Sequence, residues 1–182
     1  MEKSRERLSG LKKEAKKMDY AIREMREEEY PLLKDFLYEA IFVPPGTEPP
    51  PRSILERSEL QVYIAGFGRG ICDRAWAAEA DGRVIGAVWT RIMEDYGHID
   101  EQTPSLAIAV FAPWRGRGVG TALMQRMFSA LEKSGYGRVS LSVQKANAAL
   151  HLYRRLGFLV IRESGEEYIM EKRLETETHT VL

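Results

Sequence analysis

Hydrophobic and polar residues repeat with two different periods along this chain. Tyr20-Ala21-Ile22-Arg23-Glu24-Met25 alternates as a strand does. Between Glu28 and Phe42, the residues Tyr30, Leu33, Phe36, Leu37, Ala40 and Ile41 fall on one helical face. The run Pro44 to Pro51, with five prolines in eight positions, excludes a continuing helix. Ser53 is placed to cap a second helix, with Glu56 as its capping-box partner, running through Leu60, Tyr63 and Ile64 to about Gly66. Two strand-like runs, Arg74 to Ala80 and Arg83 to Ile92, flank Asp81-Gly82, a strong hairpin signal. Glu94 to Thr103 reads as a polar, acidic loop.

Ser105 to Phe111 is apolar enough for a buried strand. Gly118 to Lys133 is helical, with Leu123, Met124, Met127, Phe128 and Leu131 on its inner face. Arg138 to Val143 alternates again, and Asn147 opens a short helix that stops at Gly157. Phe158 to Glu163 and Glu167 to Leu174 form a closing hairpin around Ser164-Gly165. The order strand, helix, helix, three strands, helix, strand, helix, two strands predicts one α/β domain. Its mixed central sheet has about seven strands, with about four helices on both faces. Residues 20–174 form this domain. Residues 1–19 are a basic extension, disordered or a marginal helix, because their apolar stripe is thin. Residues 175–182 are a polar tail.

Composition narrows the function. The chain has 182 residues, 44% of them hydrophobic, and its 27 basic residues balance 27 acidic ones. Zero formal charge argues against a dedicated nucleic-acid binder. One cysteine excludes an internal disulfide framework and fits a reducing, cytoplasmic setting. No apolar stretch reaches the length of a membrane span. Cys72 has no neighbours that mark a nucleophile and reads as structural.

The chemistry concentrates in Val110-Phe111-Ala112-Pro113-Trp114-Arg115-Gly116-Arg117-Gly118-Val119-Gly120-Thr121. A buried strand ends there and a glycine-rich turn opens an amphipathic helix. Free N–H groups at a helix start, together with its dipole, attract anions, and a pyrophosphate fits such a nest. Arg115 and Arg117 add charge in reach of it. The same glycines also suit a turn that merely packs helix on strand. The phosphate loop of NTPases requires Gly-Lys-Ser/Thr, and the dinucleotide fingerprint requires G-x-G-x-x-G; neither spacing is present.

A second segment follows the next strand: Asn147-Ala148-Ala149-Leu150-His151-Leu152-Tyr153-Arg154-Arg155-Leu156-Gly157-Phe158. Together the two segments resemble the GCN5-related N-acetyltransferase (GNAT) superfamily. Arg115, Gly118 and Gly120 fill the family's Arg/Gln-x-x-Gly-x-Gly/Ala pattern. Asn147, Ala149, Leu152, Tyr153, Leu156, Gly157 and Phe158 match its later helix. The resemblance covers about Tyr20 to Leu174.

It implies an acyltransferase that moves an acetyl group from acetyl-coenzyme A, or another acyl-coenzyme A, to a primary amine. The residues implied to hold that co-substrate are Ile108, Val110, Arg115, Gly116, Arg117, Gly118, Val119, Gly120, Thr121, Asn147 and Tyr153. Backbone from Arg115 to Gly120 would take the pyrophosphate, and backbone of Ile108 and Val110 would pair with the pantetheine arm like a missing strand. The Val110 N–H would also face the thioester oxygen. Asn147 would touch the arm or serve as a helix cap, two compatible roles.

Tyr153 would protonate the departing thiolate, since a phenol titrates near ~10, close to an alkyl thiol. A plain core tyrosine is the alternative. Some family members carry a glutamate base on the fourth strand; Ser105-Leu106-Ala107-Ile108-Ala109-Val110 has none. Glu101 is the nearest candidate, with Glu79 and His98 behind it, and each reads equally as a surface charge. A water relay without a dedicated base is another route. The loop carrying Glu94, Asp95, His98, Asp100 and Glu101 fits no metal-binding spacing and reads as the acceptor mouth or as solvated surface. No metal is expected. The acceptor is a small-molecule or protein amine, and a homodimer is compatible with the family. A catalytically silent acyl-coenzyme A sensor is the alternative function.

Overall fold

The computed structural model describes residues 20–175. The expected basic extension and the tail beyond Glu175 lie outside the described residues. Seven strands form one sheet in the order β1-β2-β3-β4-β5-β7-β6. They are β1 (Ala21–Glu24), β2 (Arg74–Ala80), β3 (Arg83–Arg91), β4 (Ser105–Val110), β5 (Arg138–Gln144), β6 (Leu159–Ser164) and β7 (Glu167–Arg173). The helices are α1 (Leu33–Ala40), α2 (Ser58–Gln61), α3 (Val119–Lys133) and α4 (Ala149–Arg155). Every strand contact is antiparallel except β4 with β5. The hairpin between β2 and β3 turns on Asp81 and Gly82, both at positive φ, which is the twist a two-residue turn needs.

Each face of the sheet carries its own core. On one face α3 buries Leu123, Met124, Met127, Phe128 and Leu131 against Val88, Leu106, Val110 and Leu141. These residues recur at helical spacing, so a single apolar stripe covers the sheet. On the other face the strands present Ala75, Ala77, Ala87 and Ala109, with Trp89 among them. Leu33, Phe36 and Leu37 of α1, together with Leu55 and Tyr63, pack there. Small residues on the strands let irregular backbone approach closely.

The first two helices depart from expectation. The predicted helix from Glu28 begins as a 3-10 segment, Glu27–Leu32, because Pro31 sits inside it and lacks the amide that α-helical bonding needs. Ser53 caps nothing: it lies inside a 3-10 segment, Arg52–Glu56. The helix expected to reach Gly66 is α2 alone, four residues long, followed by turns. Three prolines ending at Pro51 hold the entry extended, and the 3-10 turn satisfies the following amides locally.

Candidate functional site

Strand β4 ends at Val110 and runs into one 3-10 turn, Ala112–Trp114. Gly116 and Gly118 then adopt φ of +71° and +82°. This left-handed backbone disfavours any side chain, and a Cβ on Gly116 would meet nothing within 4 Å. Gly118 directly precedes α3, whose Ala122 N–H bonds the Gly118 carbonyl at 3.0 Å. The amides of Val119, Gly120 and Thr121 therefore precede the first intrahelical bond. No side chain caps them, and no acidic residue occupies the first turn. The result is a positive, backbone-lined hollow that suits an anion.

The two arginines of this turn have contacts within the protein. The Arg115 amide donates to the Ala112 carbonyl at 3.2 Å, so it belongs to the 3-10 turn and not to the hollow. The Arg115 guanidinium bonds the Val110 carbonyl at 2.8 Å and Glu39 of α1 at 2.7 Å. Here it braces the turn against α1. Arg117 stacks over the Trp114 ring, 5.4 Å from its centre.

Below the hollow the sheet opens. Strands β4 and β5 share one ladder pair, Ser105 with Ser140, at the start of both strands. Beyond it they diverge. The bond from the Phe111 N–H to the Ile85 carbonyl fixes which way β4 faces. By antiparallel alternation Ala107 and Ala109 bond β3, while Ile108 and Val110 aim their amides into the gap toward β5. The gap thus leads from the hollow at the end of β4 down to an apex at Ser105 and Ser140.

Helix α4 closes this gap on the α3 face. A Cβ on Gly120 would touch Leu152 of α4 at 3.4 Å and Ile108 of β4 at 4.0 Å, so three elements converge on one glycine. Tyr153, adjacent to Leu152, is buried beside Phe158 with ring centres 5.9 Å apart. Burial alone pushes its phenol up to about 12 from the usual 10, so it is fully protonated at neutral pH. The Asn147 side chain accepts the Ala149 N–H at 2.9 Å and so caps α4.

The candidate bases do not meet there. Glu101 precedes β4, at the opposite end of that strand from the hollow. Its side chain is 80% exposed, with His98 3.9 Å away. It borders a cavity of about 710 Å³ shared with Ile71, Tyr136, Arg138 and Arg173, remote from the glycine turn. Glu79 is tied to Arg23 in a cluster with Glu29. His98 is held by the Met93 carbonyl at 2.9 Å.

What the letters did not single out is Asp95. Its carboxylate accepts bonds from Tyr63 Oη at 2.9 Å and Ser105 Oγ at 2.7 Å, and from the Gly97 amide. Burial raises its pKa. Asp95 therefore sits at the apex of the gap, on the α1 face. Gly97 makes this possible: a Cβ there would lie 2.9 to 3.1 Å from β5 backbone at Leu141 and Ser142. Among the described residues, no group of three or more His, Cys, Asp or Glu is placed to hold a metal ion. No described helix is long and apolar enough to cross a membrane.

The parallel pair β4–β5 thus splays beside an uncapped, glycine-rich helix start. The chain belongs to the acetyltransferase (GNAT) family, whose model matches residues 20–158. An N-alpha-acetyltransferase of Sulfurisphaera tokodaii is 34% identical over 96 residues, covering 48% of this chain and 57% of that protein. A mycothiol acetyltransferase of Corynebacterium jeikeium is 37% identical over 83 residues, 43% of this chain and 24% of that protein. The matched stretches thus span little more than half of one relative and about a quarter of the other.

Among solved structures, the PaiA N-acetyltransferase of Thermoplasma acidophilum, in complex with coenzyme A, superposes with a TM-score of 0.62. It is 20% identical and covers 86% of this chain and 99% of that one. The ribosomal-protein-S18-alanine N-acetyltransferase of Escherichia coli gives 0.61 at 18% identity, covering 90% and 99%. At these identities the structures speak to the fold. Among the described residues, the fold is accordingly a mixed seven-stranded sheet with four α-helices.

Proposed function

We propose that this protein transfers an acetyl group from acetyl-coenzyme A to a primary amine. The carrying observation is the continuity of the glycine-rich hollow with the β4–β5 gap. A pyrophosphate seats on the amides of Gly116 to Thr121, and the pantetheine arm runs down the gap along Ile108 and Val110. The reacting end then lies farther from the hollow than Val110. Ile108 is consequently the better-placed amide for the thioester oxygen, and Val110 holds the arm.

Tyr153 donates its proton to the leaving sulfur from the α3 face. Its high pKa keeps the proton available at neutral pH. Asn147 orders the start of α4 and so fixes the direction of Tyr153. The relatives named for N-alpha-acetylation make peptide α-amines the first acceptors to try.

Isothermal titration with acetyl-coenzyme A tests the co-substrate site. Micromolar or tighter binding is expected, weakened at least ~100-fold in Gly118→Glu, where a carboxylate and a Cβ enter an anion site at positive φ. Normal affinity in that variant refutes the assignment. Binding without turnover of any amine would leave a sensor and reject the enzyme.

A further inference from the structure

We propose that Asp95 is the proton acceptor for the incoming amine, acting at the apex of the β4–β5 gap with Tyr63 and Ser105. The inference rests on the transfer reading above and assigns the step that β4 itself, lacking a carboxylate, cannot perform. Three strand positions, ~10 Å of rise, separate Ile108, the amide assigned to the thioester oxygen, from Ser105 at the apex. An amine approaching the thioester from the apex therefore passes Ser105, whose Oγ bonds Asp95 directly.

The placement of Asp95 is built from three sides. Ser105 holds it from β4, and Tyr63 from the turn after α2. Gly97 seats the loop on β5, where any side chain would strike backbone. Tyr63 is itself bonded by Ser142 of β5, so the network bridges both sides of the opening. Opposite Asp95, Glu167 of β7 is also raised by burial and by the Asp95 charge, and it bonds Gln144. Asp95 is held by hydroxyls and an amide rather than by a paired cation. Such a carboxylate attracts an ammonium and can accept its proton. A surface carboxylate paired with arginine is too weak a base.

The step balances as follows. The bound ammonium gives one proton to the Asp95 carboxylate, directly or through one water. The freed lone pair forms the C–N bond at the thioester carbon. The C–S bond breaks and its electron pair goes to sulfur, which takes the Tyr153 proton. The nitrogen's second proton returns through water to the Tyr153 oxygen, and Asp95 releases its proton to solvent. One proton leaves per turnover.

Asp95→Asn keeps the shape and removes the basicity. With a peptide amine, kcat/KM should fall ~100-fold or more. With trifluoroethylamine, largely uncharged at neutral pH, the loss should be under ~5-fold, since that amine arrives already deprotonated. Acetyl-coenzyme A affinity by titration should stay within ~2-fold. Equal losses for both amines, or none, overturn the proposal.

Ser105→Ala supplies a second readout that survives a folding defect in the first variant. Removing a bond to the charged carboxylate raises its pKa, so the acidic limb of the kcat/KM profile should move to higher pH. An unmoved limb overturns the proposal. Wild-type protein that binds acetyl-coenzyme A but acetylates no amine rejects the transfer reading itself. An active wild type with an equally active Asp95→Asn rejects Asp95 alone.

Discussion

The two faces of the sheet are built on opposite plans. The α3 face is one long helix and the short α4 over a continuous apolar core, with α3 starting from a turn whose hydrogen-bonding groups are backbone. The α1 face is a patchwork of 3-10 turns, a four-residue helix and a proline-rich link. Alanines cushion it, and ion pairs and buried hydroxyls hold it together. A co-substrate common to a whole family is recognised by backbone, which tolerates sequence change around it. An acceptor that varies is recognised by side chains on a face whose backbone can be rebuilt. On the proposed reading, generic chemistry lies on one side of the gap and specific chemistry on the other.

The largest effect should come from breaking the aliphatic face. Leu131 is fully buried in it, and Leu131→Ala should cost about 2–5 kcal/mol, read by urea unfolding. A cost below about 1 kcal/mol would mean that face is as adaptable as the other.

Next is a kinetic contrast between the faces. Tyr153→Phe should lower turnover ~100-fold for basic and weakly basic amines alike, because its proposed proton transfers follow the step in which the ammonium loses its first proton. Sensitivity to amine basicity in this variant would erase the division of labour.

The smallest effect concerns the ion pairs of the α1 face. Bonding by Arg23 holds the Glu29 carboxyl down at about 2, from an ordinary 4.5. A depressed carboxyl stabilises the fold above its unfolded pKa and loses that contribution as pH falls through the folded one. Glu29→Gln should therefore cost about 1 kcal/mol at neutral pH. The melting temperatures of variant and wild type should converge between pH 4.5 and pH 2. A constant difference across that window would detach Glu29 from the charge network.

The same contrast explains what the letters revealed. The α3 face was legible because helical spacing from Leu123 to Leu131 and the turn Arg115 to Gly120 are local patterns. Arg115 was read as adding charge near a phosphate; its contact with Glu39 of α1 was not legible, because that pairing is tertiary. The α1 face was misread where prolines intervened: Pro31 converts a helical pattern into a 3-10 start, and Ser53 became interior to a turn. Asp95 was one acid of a loop that reads as the acceptor mouth or as solvated surface, with nothing to single it out. Its neighbours Tyr63 and Ser105 lie 32 and 10 residues away, and no periodic pattern links them. Gly97 was the available signal, a glycine in a loop with no turn motif of its own. Splaying of β4 from β5 has no letter code, because it is pairing that fails to continue.

That failure of pairing has a mechanical meaning. Strands β1 to β4 and strands β5 to β7 are two plates joined by a single rung. In most sheets the central seam is the last backbone to exchange its amide hydrogens with water. In this one the amides of Ile108 and Val110, at the centre of the sheet, face no partner strand, as those of an edge strand do.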